Sequence, residues 1–322
     1  MNPTRSILSQ YDLTQAVRAY TLGTLGFDRV GFATAERIEK EGARYLEWIA
    51  EGRHGTMGWM ERNAERRIDV REILPSARSV IVVARNYFTP HRHQDSPEHA
   101  KISRYAWGRD YHNVLPKKLK QLHRYLRTLE PEAESRWYVD TGPVMEKAWA
   151  VRAGIGWMGK HTNVITRDLG SWVFLGVLIS SLELDASTPV ADYCGSCTRC
   201  IDACPTDAIT APYQLDATRC LSYITIEERP KNPIPQELGA QMENWVFGCD
   251  ICQDVCPWNR FEEPTTEEAF RPRAGVLDLT LDDVRNMSDE EFNERFTGSP
   301  VRRSTADGFR RNGRGAEEGH SA

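Results

Sequence analysis

The sequence predicts a mixed α/β (α+β) domain, followed by a cysteine-rich module and a short helical C-terminal segment. Apolar β-branched runs alternate with amphipathic segments over residues 1–185, which is typical of a mixed layer fold. All eight cysteines then fall within 186–262, a stretch with little else that could build a core. Residues 263–322 begin acidic and helical and end basic. We therefore expect three regions in the 322-residue chain.

Each element follows from its local pattern. Helical periodicity predicts helices at 11–26 and 115–129. A further helix is predicted at 143–154, with proline near its first turn, and an acidic helical segment at 280–296. Buried strands, marked by short apolar or β-branched runs, are predicted at 79–84, 136–141 and 170–181. The last eight or so residues are rich in Gly, Glu and Ser, so we expect them to be disordered.

Composition and the N-terminal sequence favour a cytoplasmic protein with no membrane partner. The contents of 40% hydrophobic and 27% charged residues are those of a globular protein. The start, "MNPTRSILSQYDLTQ", lacks the apolar run of a signal peptide. The longest apolar stretch, "SWVFLGVLISSLEL", is too short to span a bilayer. A reducing cytosol argues against structural disulfides.

The net charge of −5 argues mildly against a nucleic-acid partner, but two segments are locally basic. Residues 299–314 hold one aspartate and five arginines, namely Arg302, Arg303, Arg310, Arg311 and Arg314. Residues 116–127 hold no acid and five cations, namely Lys117, Lys118, Lys120, Arg124 and Arg127. Each segment is either a solvated helix face, which is the commoner case, or a phosphate-binding surface.

The cysteines form two groups with a diagnostic spacing. The first is Cys194-x2-Cys197-x2-Cys200-x3-Cys204-Pro205; the second is Cys249-x2-Cys252-x3-Cys256-Pro257, with Cys220 between them. Zinc usually takes two cysteine pairs around one ion. The first spacing is instead that of bacterial ferredoxins, in which the fourth cysteine ligates the other cluster. We predict two [4Fe–4S] clusters, with zinc or free thiols as alternatives.

The exchange of the fourth ligand assigns every cysteine. One cluster is predicted to take Cys194, Cys197, Cys200 and Cys256. The other is predicted to take Cys204, Cys220, Cys249 and Cys252. Such a module carries single electrons and rarely performs the chemistry itself. The N-terminal region should therefore hold a second cofactor or bind a partner.

Two features of the N-terminal region are ambiguous from residue types alone. Gly154, Gly156 and Gly159 form a G-x-G-x-x-G that follows a predicted helix rather than a strand, so a dinucleotide site is weakly supported. They indicate either a close approach to a bulky ligand or a plain loop. Asp140 ends a predicted strand before a predicted helix, so it is either a reactive group or a helix N-cap. Residue type favours the cap.

Several segments together resemble one enzyme family. They are "GTMGWMERN" (55–63), "RSVIVVARNYF" (78–88), "ISRYAWGRDYHNVL" (102–115), "YVDTGPVMEKAWAVRAGIGWMGKHT" (138–162), "GSWVFLG" (170–176), "CGSCTRCIDACPTDAI" (194–209) and "CDICQDVCPWNR" (249–260). Over about residues 10–312 the chain resembles epoxyqueuosine reductase. The resemblance implies a cobalamin-dependent oxidoreductase that reduces the epoxide of epoxyqueuosine in tRNA to queuosine. Two [4Fe–4S] clusters would deliver electrons from a low-potential donor.

The resemblance also implies a domain order. Residues 1–185 would form a cobalamin-binding catalytic domain like that of reductive dehalogenases. Residues 186–262 would form a ferredoxin-like domain, and 263–322 a short helical, basic segment. We expect a monomer.

By the same resemblance, Asp140 becomes the proton donor, which reverses the preference for a cap. We expect burial against the corrin to raise its pKa. Contacts to cobalamin are implied for Asn63, Arg104, Tyr105, Asp140, Lys160, Asn163, Val164, Thr166 and Ser171. "DYHNVL" (110–115) has Leu115 where the motif of histidine-ligated cobalamin needs glycine. We therefore expect no protein histidine on cobalt.

Two departures from the family pattern are visible. His161 stands where the family usually has asparagine. Many members also continue into helical repeats that help to hold tRNA and that this sequence does not contain. We therefore expect tRNA contacts from the body of the protein and from residues 299–314.

Three other functions stay open. A corrinoid reductive dehalogenase is disfavoured by the basic C-terminal segment and by the absence of an export signal. A ferredoxin-type electron carrier would hold clusters without tight corrinoid binding. A protein that reactivates the corrinoid of another enzyme would bind a protein partner rather than tRNA.

Overall fold

The computed structural model describes residues 8–318. Its β-strands are β1 (Arg29–Thr34), β2 (Ser79–Asn86), β3 (Lys101–Ile102), β4 (Ser135–Tyr138), β5 (Trp157–Met158), β6 (Val164–Ile165), β7 (Val173–Ser180) and β8 (Trp245–Phe247). Its α-helices are α1 (Gln10–Ala19), α2 (Glu39–Ala50), α3 (Gly58–Glu61), α4 (Ala64–Ile68), α5 (Leu115–Leu129), α6 (Glu146–Arg152), α7 (Arg199–Asp202), α8 (Leu221–Ile226), α9 (Gln236–Gly239), α10 (Ile251–Asp254), α11 (Leu281–Asn286), α12 (Asp289–Phe296) and α13 (Thr305–Glu318). No helix in this part of the chain has both the length and the apolar character needed to cross a bilayer.

A four-stranded antiparallel sheet, in the order β1-β2-β7-β4, forms the centre of the N-terminal region. The two central strands, β2 and β7, pair from Ser79↔Ser180 to Asn86↔Val173. Their β-branched residues suit a pleated surface that is covered on both sides. The predicted strands at 79–84 and 170–181 are therefore confirmed. The strand predicted at 136–141 ends at Tyr138, which leaves Asp140 in a loop.

Helices cover both faces of this sheet because successive strand residues point to opposite sides. Ile81 and Val83 pack with the buried residues of α1 and α5. Val80 and Val82 pack with those of α2, α4 and α6. Helix α5 has the bounds predicted for it, and its buried side is formed by Leu115, Leu119, Leu122 and Leu126. The predicted mixture of helix and strand is confirmed.

The C-terminal segment shares a core with the residues that follow the first cysteine group. Side chains of α8, β8 and α11 to α13 form one buried cluster with residues 100–107. Within it, the amide nitrogen of the fully buried Asn312 donates to the carbonyls of Thr225 and Val246, at 2.8 Å each. The boundaries predicted at 185 and 262 stay predictions.

The predicted helical character of the C-terminal region is confirmed, although α11 and α12 divide the helix expected over 280–296. Helix α13 runs to Glu318. The expectation of disorder over the last eight residues is therefore wrong for 315–318, which are helical, and Ala316 is buried in the cluster formed with α8 and β8. Residues 319–322 lie outside the described residues.

Candidate active site and iron–sulfur module

A cavity of about 330 Å³ lies between the start of β7, the loop after β4 and the beginning of α6. Five of the nine residues predicted to contact cobalamin line this cavity, namely Tyr105, Asp140, Asn163, Val164 and Ser171. Cys249, a predicted cluster ligand, also lies in its wall. The fold therefore brings the candidate proton donor and the cysteine-rich module to one place.

The other four predicted contacts lie outside the lining of this cavity. The guanidinium of Arg104 packs 4.4–4.9 Å from three aromatic rings and donates to the carbonyl of His91 at 3.0 Å. Asn63 is exposed and has a left-handed backbone, with φ 60°. Their contacts with cobalamin stay predictions.

Lys160 and Thr166 have local partners instead. The Lys160 ammonium donates to the carbonyls of Gly195 and Cys197, at 2.7 and 3.0 Å, and so ties the glycine-rich loop to the first cysteine group. The Thr166 hydroxyl donates to the carbonyl of Gly170 at 3.1 Å, within a tight turn. A role of either residue towards cobalamin likewise stays a prediction.

Asp140 does not cap helix α6. The helix begins six residues later, and Met145 occupies the N-cap position. The Asp140 backbone is left-handed, with φ 61°, a conformation that aspartate tolerates better than most residues and that often occurs at functional sites. Its side chain is 66% exposed and faces the cavity. The N-cap interpretation is therefore wrong.

The imidazole of His112 lies between two carboxylates. Its Nδ1 is 2.8 Å from Oδ1 of Asp110, and its Nε2 is 3.6 Å from Oδ2 of Asp140. Burial of the ring lowers the pKa of His112, but the interactions with Asp110 and Asp140 outweigh burial and raise that pKa to about 9. At neutral pH, His112 is therefore an imidazolium.

Asp140 is correspondingly a carboxylate. Burial by the protein acts to raise its pKa, but the nearby His112 imidazolium and the hydrogen bond from Tyr111 outweigh burial and hold the pKa below its usual range. The raised pKa expected from burial against the corrin stays a prediction. The Tyr111 hydroxyl donates to Oδ2 of Asp140 at 2.8 Å. In this state Asp140 therefore accepts protons, and His112 is the group that holds one.

Two neighbouring residues at the start of α6 add further titratable groups to the cavity wall. Burial raises the pKa of Glu146 to about 7, and its Oε1 has no hydrogen-bond partner among the described residues. The Lys147 ammonium donates to Oδ1 of Asn163 at 2.7 Å, and burial lowers its pKa. The wall therefore presents a second carboxyl group whose protonation changes near neutral pH.

Two of the glycines after α6 approach other parts of the protein chain closely. A Cβ on Gly156 would lie 2.0 Å from the carbonyl oxygen of Ile165. A Cβ on Gly154, which has φ +70°, would lie 2.5 Å from the carbonyl oxygen of Thr188. The protein chain itself therefore requires glycine at these two positions, and an approach of either glycine to a bulky ligand stays a prediction. Both small residues are needed for packing of the loop.

His161, the departure from the family pattern, is buried in this loop. Its Nδ1 accepts a hydrogen bond from the backbone N–H of Asn163 at 3.2 Å. Burial lowers the pKa of His161 to about 4, so the ring is neutral and can accept this hydrogen bond. The substitution therefore supports the loop that carries Asn163 into the cavity wall.

The electrostatic interactions between the cysteines fall mostly, but not all, within the two predicted sets. Burial, followed by the charges of Cys256, Cys194 and Cys197, raises the pKa of Cys200 to about 11. Burial also raises the pKa of Cys252 and of Cys249. For Cys252 the charges of Cys220, Cys200 and Cys204 contribute, in decreasing order, and for Cys249 those of Cys252 and Cys220. Cys200 also influences Cys252, so the two sets adjoin.

Across residues 8–318, no three His, Cys, Asp or Glu side chains converge as around a single ion. Four thiolates around a cubane are spread more widely than around one ion, because iron and sulfide lie between them. The more informative observation is therefore which thiols raise one another's pKa. The assignment of individual ligands stays a prediction.

The sequence did not single out Tyr111, Glu146 or Lys147 as parts of the site. All three fall within segments that carry the family resemblance. In the sequence, the only indication that Tyr111 belongs to the site is its position between Asp110 and His112. Its hydrogen bond to Asp140, 29 residues away, is visible only in the folded chain.

Known proteins match both parts of the chain. The family described as "Epoxyqueuosine reductase QueG, DUF1730" matches residues 67–141, and "4Fe-4S double cluster binding domain" matches residues 193–259. An epoxyqueuosine reductase from Synechocystis sp. is 48% identical over 286 residues, which cover 88% of this chain and 98% of that protein.

Two solved structures have similar folds. One is an epoxyqueuosine reductase with a tRNA-Tyr epoxyqueuosine-modified tRNA stem loop; it has a TM-score of 0.88 and 32% identity, and the match covers 96% of this chain and 81% of that one. The other, from Bacillus subtilis, has its catalytic aspartate loop swung out of the active site. It has a TM-score of 0.87 and 30% identity, with 96% and 82% covered.

A double [4Fe–4S] domain beside a cavity with titratable groups defines an iron–sulfur oxidoreductase. The predicted pair of clusters is thereby confirmed. The chain belongs to the epoxyqueuosine reductase family, because the identity with a member extends along nearly the whole length of both proteins.

Proposed function

We propose that this protein reduces the epoxide of epoxyqueuosine in tRNA to the alkene of queuosine. The observation that carries the proposal is the 48% identity with an epoxyqueuosine reductase over 88% of the chain. A modified tRNA stem loop in the solved structure of a relative supports RNA as the substrate. The reaction consumes two electrons and two protons and releases the epoxide oxygen as water.

Cobalamin is the proposed second cofactor, and the residues of the cavity fit it. Tyr105 and Val164 offer aromatic and aliphatic surface for a flat ring, while Asn163 and Ser171 offer an amide and a hydroxyl for the amides at a corrin rim. Oε1 of Glu146 is a buried acceptor without a partner among the described residues, which an amide N–H would satisfy. When bound, cobalamin supplies a strongly nucleophilic, low-valent cobalt.

Residues of the chain itself hold and transfer the proton. Opening an epoxide leaves an alkoxide, which must be protonated before the oxygen departs. Asp140 faces the cavity and has His112 behind it, with 3.6 Å between Nε2 and Oδ2. In the proposed mechanism the proton held by the His112 imidazolium passes through Asp140 to the alkoxide, and the Tyr111 hydroxyl orients the carboxylate. Because the two groups interact strongly, they titrate as a pair.

The cysteine sets suggest the electron path. Cys249 lies in the cavity wall, so the cluster of Cys204, Cys220, Cys249 and Cys252 would be the one next to the reaction. The adjoining set, which begins at Cys194, would receive electrons from a low-potential donor. A cytoplasmic location and a monomeric state are proposed on the sequence alone.

An anaerobic assay tests the proposal. Protein with reconstituted clusters is mixed with a chemical reductant and an anticodon stem-loop bearing epoxyqueuosine, with and without cobalamin. The nucleosides are then identified by mass. Cobalamin-dependent loss of one oxygen is expected. Clusters without corrinoid binding and without conversion would instead favour an electron carrier.

Asp140→Asn tests the proton donor in the same assay. We expect turnover to fall by roughly 10²- to 10⁴-fold, with unchanged cluster absorbance and corrinoid binding. Asp69→Asn, which removes a carboxylate paired with Arg71, is the control. Full activity of Asp140→Asn would refute the acid role.

A further inference from the structure

The structure distinguishes the two basic segments of the sequence. Within 299–314, Arg303 pairs with Glu227, and Arg310 contacts Asp307 at 2.5 Å and also pairs with Asp289. Arg311 is buried, and its guanidinium donates to backbone carbonyls of residues 224–232. Most of the arginines in this segment therefore already have partners within the protein.

Helix α5 presents its cations differently. Lys117, Lys120, Arg124 and Arg127 are all exposed, and their spacing of three, four and three residues places them on one face, opposite the buried leucines. Arg136, on the neighbouring strand β4, is exposed as well. Within the part of the chain that the structure describes, none of the five forms a salt bridge; Arg127 and Arg136 donate to backbone carbonyls.

The charge of this face is concentrated enough to affect a neighbour. Burial lowers the pKa of His123, which also lies on α5, and the charges of Arg127, Arg136 and Arg124 lower it further. Lys118 differs from the others because it points inward and pairs with Glu267. We use the term α5 basic face for Lys117, Lys120, Arg124, Arg127 and Arg136.

The α5 basic face begins beside the active site. Helix α5 follows the short 3-10 turn Tyr111–Asn113, whose first two residues contact Asp140. From Lys117 to Arg127 the helix rises about 15 Å, at about 1.5 Å per residue. The cations therefore extend outward from the end of the helix that lies next to the cavity.

The position of α5 favours an RNA substrate over an electron donor as the partner. Helix α5 and helix α6 cover opposite faces of the sheet. The loop after α6 contacts the first cysteine group through Lys160. A donor must approach the cysteine groups, the first of which contacts the loop after α6, whereas a nucleic acid with one nucleotide in the cavity must continue away from it.

We propose that the α5 basic face binds the phosphodiester backbone of the substrate RNA next to the nucleotide held in the cavity. The proposal rests on the proposed function. Unpaired surface cations bind phosphates through counterion release, which gives affinity without reading the sequence. The face would thus position the stem-loop, while the cavity selects the modified base.

A charge-reversal pair tests the proposal with a matched control. The test variant is Lys120→Glu/Arg124→Glu. The control is Lys40→Glu/Arg44→Glu on α2, which changes the same residue types at the same spacing on an exposed helix across the sheet. Cluster absorbance and thermal unfolding verify that both variants fold. Affinity for the epoxyqueuosine stem-loop is then measured over a series of salt concentrations.

We expect the test variant to bind the stem-loop at least about tenfold more weakly at low salt. The slope of log affinity against log salt concentration should fall in magnitude by about 1 to 2, because each phosphate contact contributes about 0.7 to 0.9 to this slope. The control variant should match the wild type. Equal affinity and slope in the test variant would overturn the proposal.

A turnover readout separates this proposal from the function on which it rests. If the wild-type protein binds the stem-loop through the α5 basic face but does not convert it, the assigned reaction is wrong and the assignment of the RNA-binding surface is upheld. If neither binding nor conversion occurs, both fail. If the test variant keeps its RNA affinity but loses turnover only when an acidic protein donor replaces the chemical reductant, the face binds the donor and the proposal is wrong.

Discussion

Asp110 controls the protonation of His112 and, through it, the proton available to Asp140. The pKa of His112 rises from 6.5 to about 9 although burial opposes the rise. This corresponds to about 3 kcal/mol in favour of the imidazolium, at about 1.4 kcal/mol per pH unit. The side chain is 32% exposed, so solvent screening reduces the figure to about 2 kcal/mol. Asp110 contributes more of it than Asp140, because its oxygen is nearer.

Asp110→Asn removes this charge and keeps the shape. The amide oxygen of asparagine can still accept from the backbone N–H of His112, as Oδ1 of Asp110 does at 2.9 Å. We expect the pKa of His112 to fall by about one pH unit, to about 8. Because the proposed mechanism requires a protonated His112, we expect the rate to persist below this pKa and to be lost as the pH rises through it. The basic limb of the rate profile should therefore move from near pH 9 to near pH 8.

Single-turnover conversion of the stem-loop by chemically reduced protein, followed across the titration of His112, measures this limb. The Asp69→Asn variant should keep the wild-type limb. The same interaction also stabilises the fold; its contribution is fully present below pH 6.5 and lost as the pH rises through about 9. A limb that stays in place in Asp110→Asn would refute the assignment of His112 as the proton source.

Two further predictions concern the iron–sulfur module and the C-terminal core. Cys220→Ser should remove a ligand of the cluster next to the cavity, so bound iron should fall by about half and RNA turnover should be lost; unchanged iron content would contradict the ligand set. Asn312→Ala should leave the carbonyls of Thr225 and Val246 without their buried donor and lower the free energy of unfolding by about 2 kcal/mol. Asn293→Ala, at an exposed position, should change it by less than about 0.5 kcal/mol in the same denaturant titration.

The elements that were predicted accurately are those whose hydrophobic pattern is complete within one continuous segment. Helix α5 has its predicted bounds because leucines at helical spacing build one continuous buried stripe. Strands β2 and β7 were found because long β-branched runs have few other structures open to them. The bounds of α6 were less accurate, since Pro143 precedes an irregular turn and the helix starts only at Glu146.

The iron–sulfur module was also predictable from local spacing. Three of the four thiolates predicted for the first cubane, Cys194, Cys197 and Cys200, are separated by only two residues each, so the motif is visible in neighbouring residues. The glycines after α6 show the limit of this reasoning. Their small size was recognised, but Ile165 and Thr188, which make glycine necessary, are reached only by folding.

The sequence by itself therefore determined the helices and strands with strong periodicity, the cluster type and the family, because each depends on residues close together in the chain or on overall similarity. The tertiary structure alone decided that Tyr111 and His112 meet Asp140. It also decided that Arg303 is neutralised by Glu227, 76 residues away, whereas the α5 basic face forms no salt bridge within residues 8–318. Ion pairs and proton-sharing contacts depend on distances in the folded protein, and the order of residues does not give these distances.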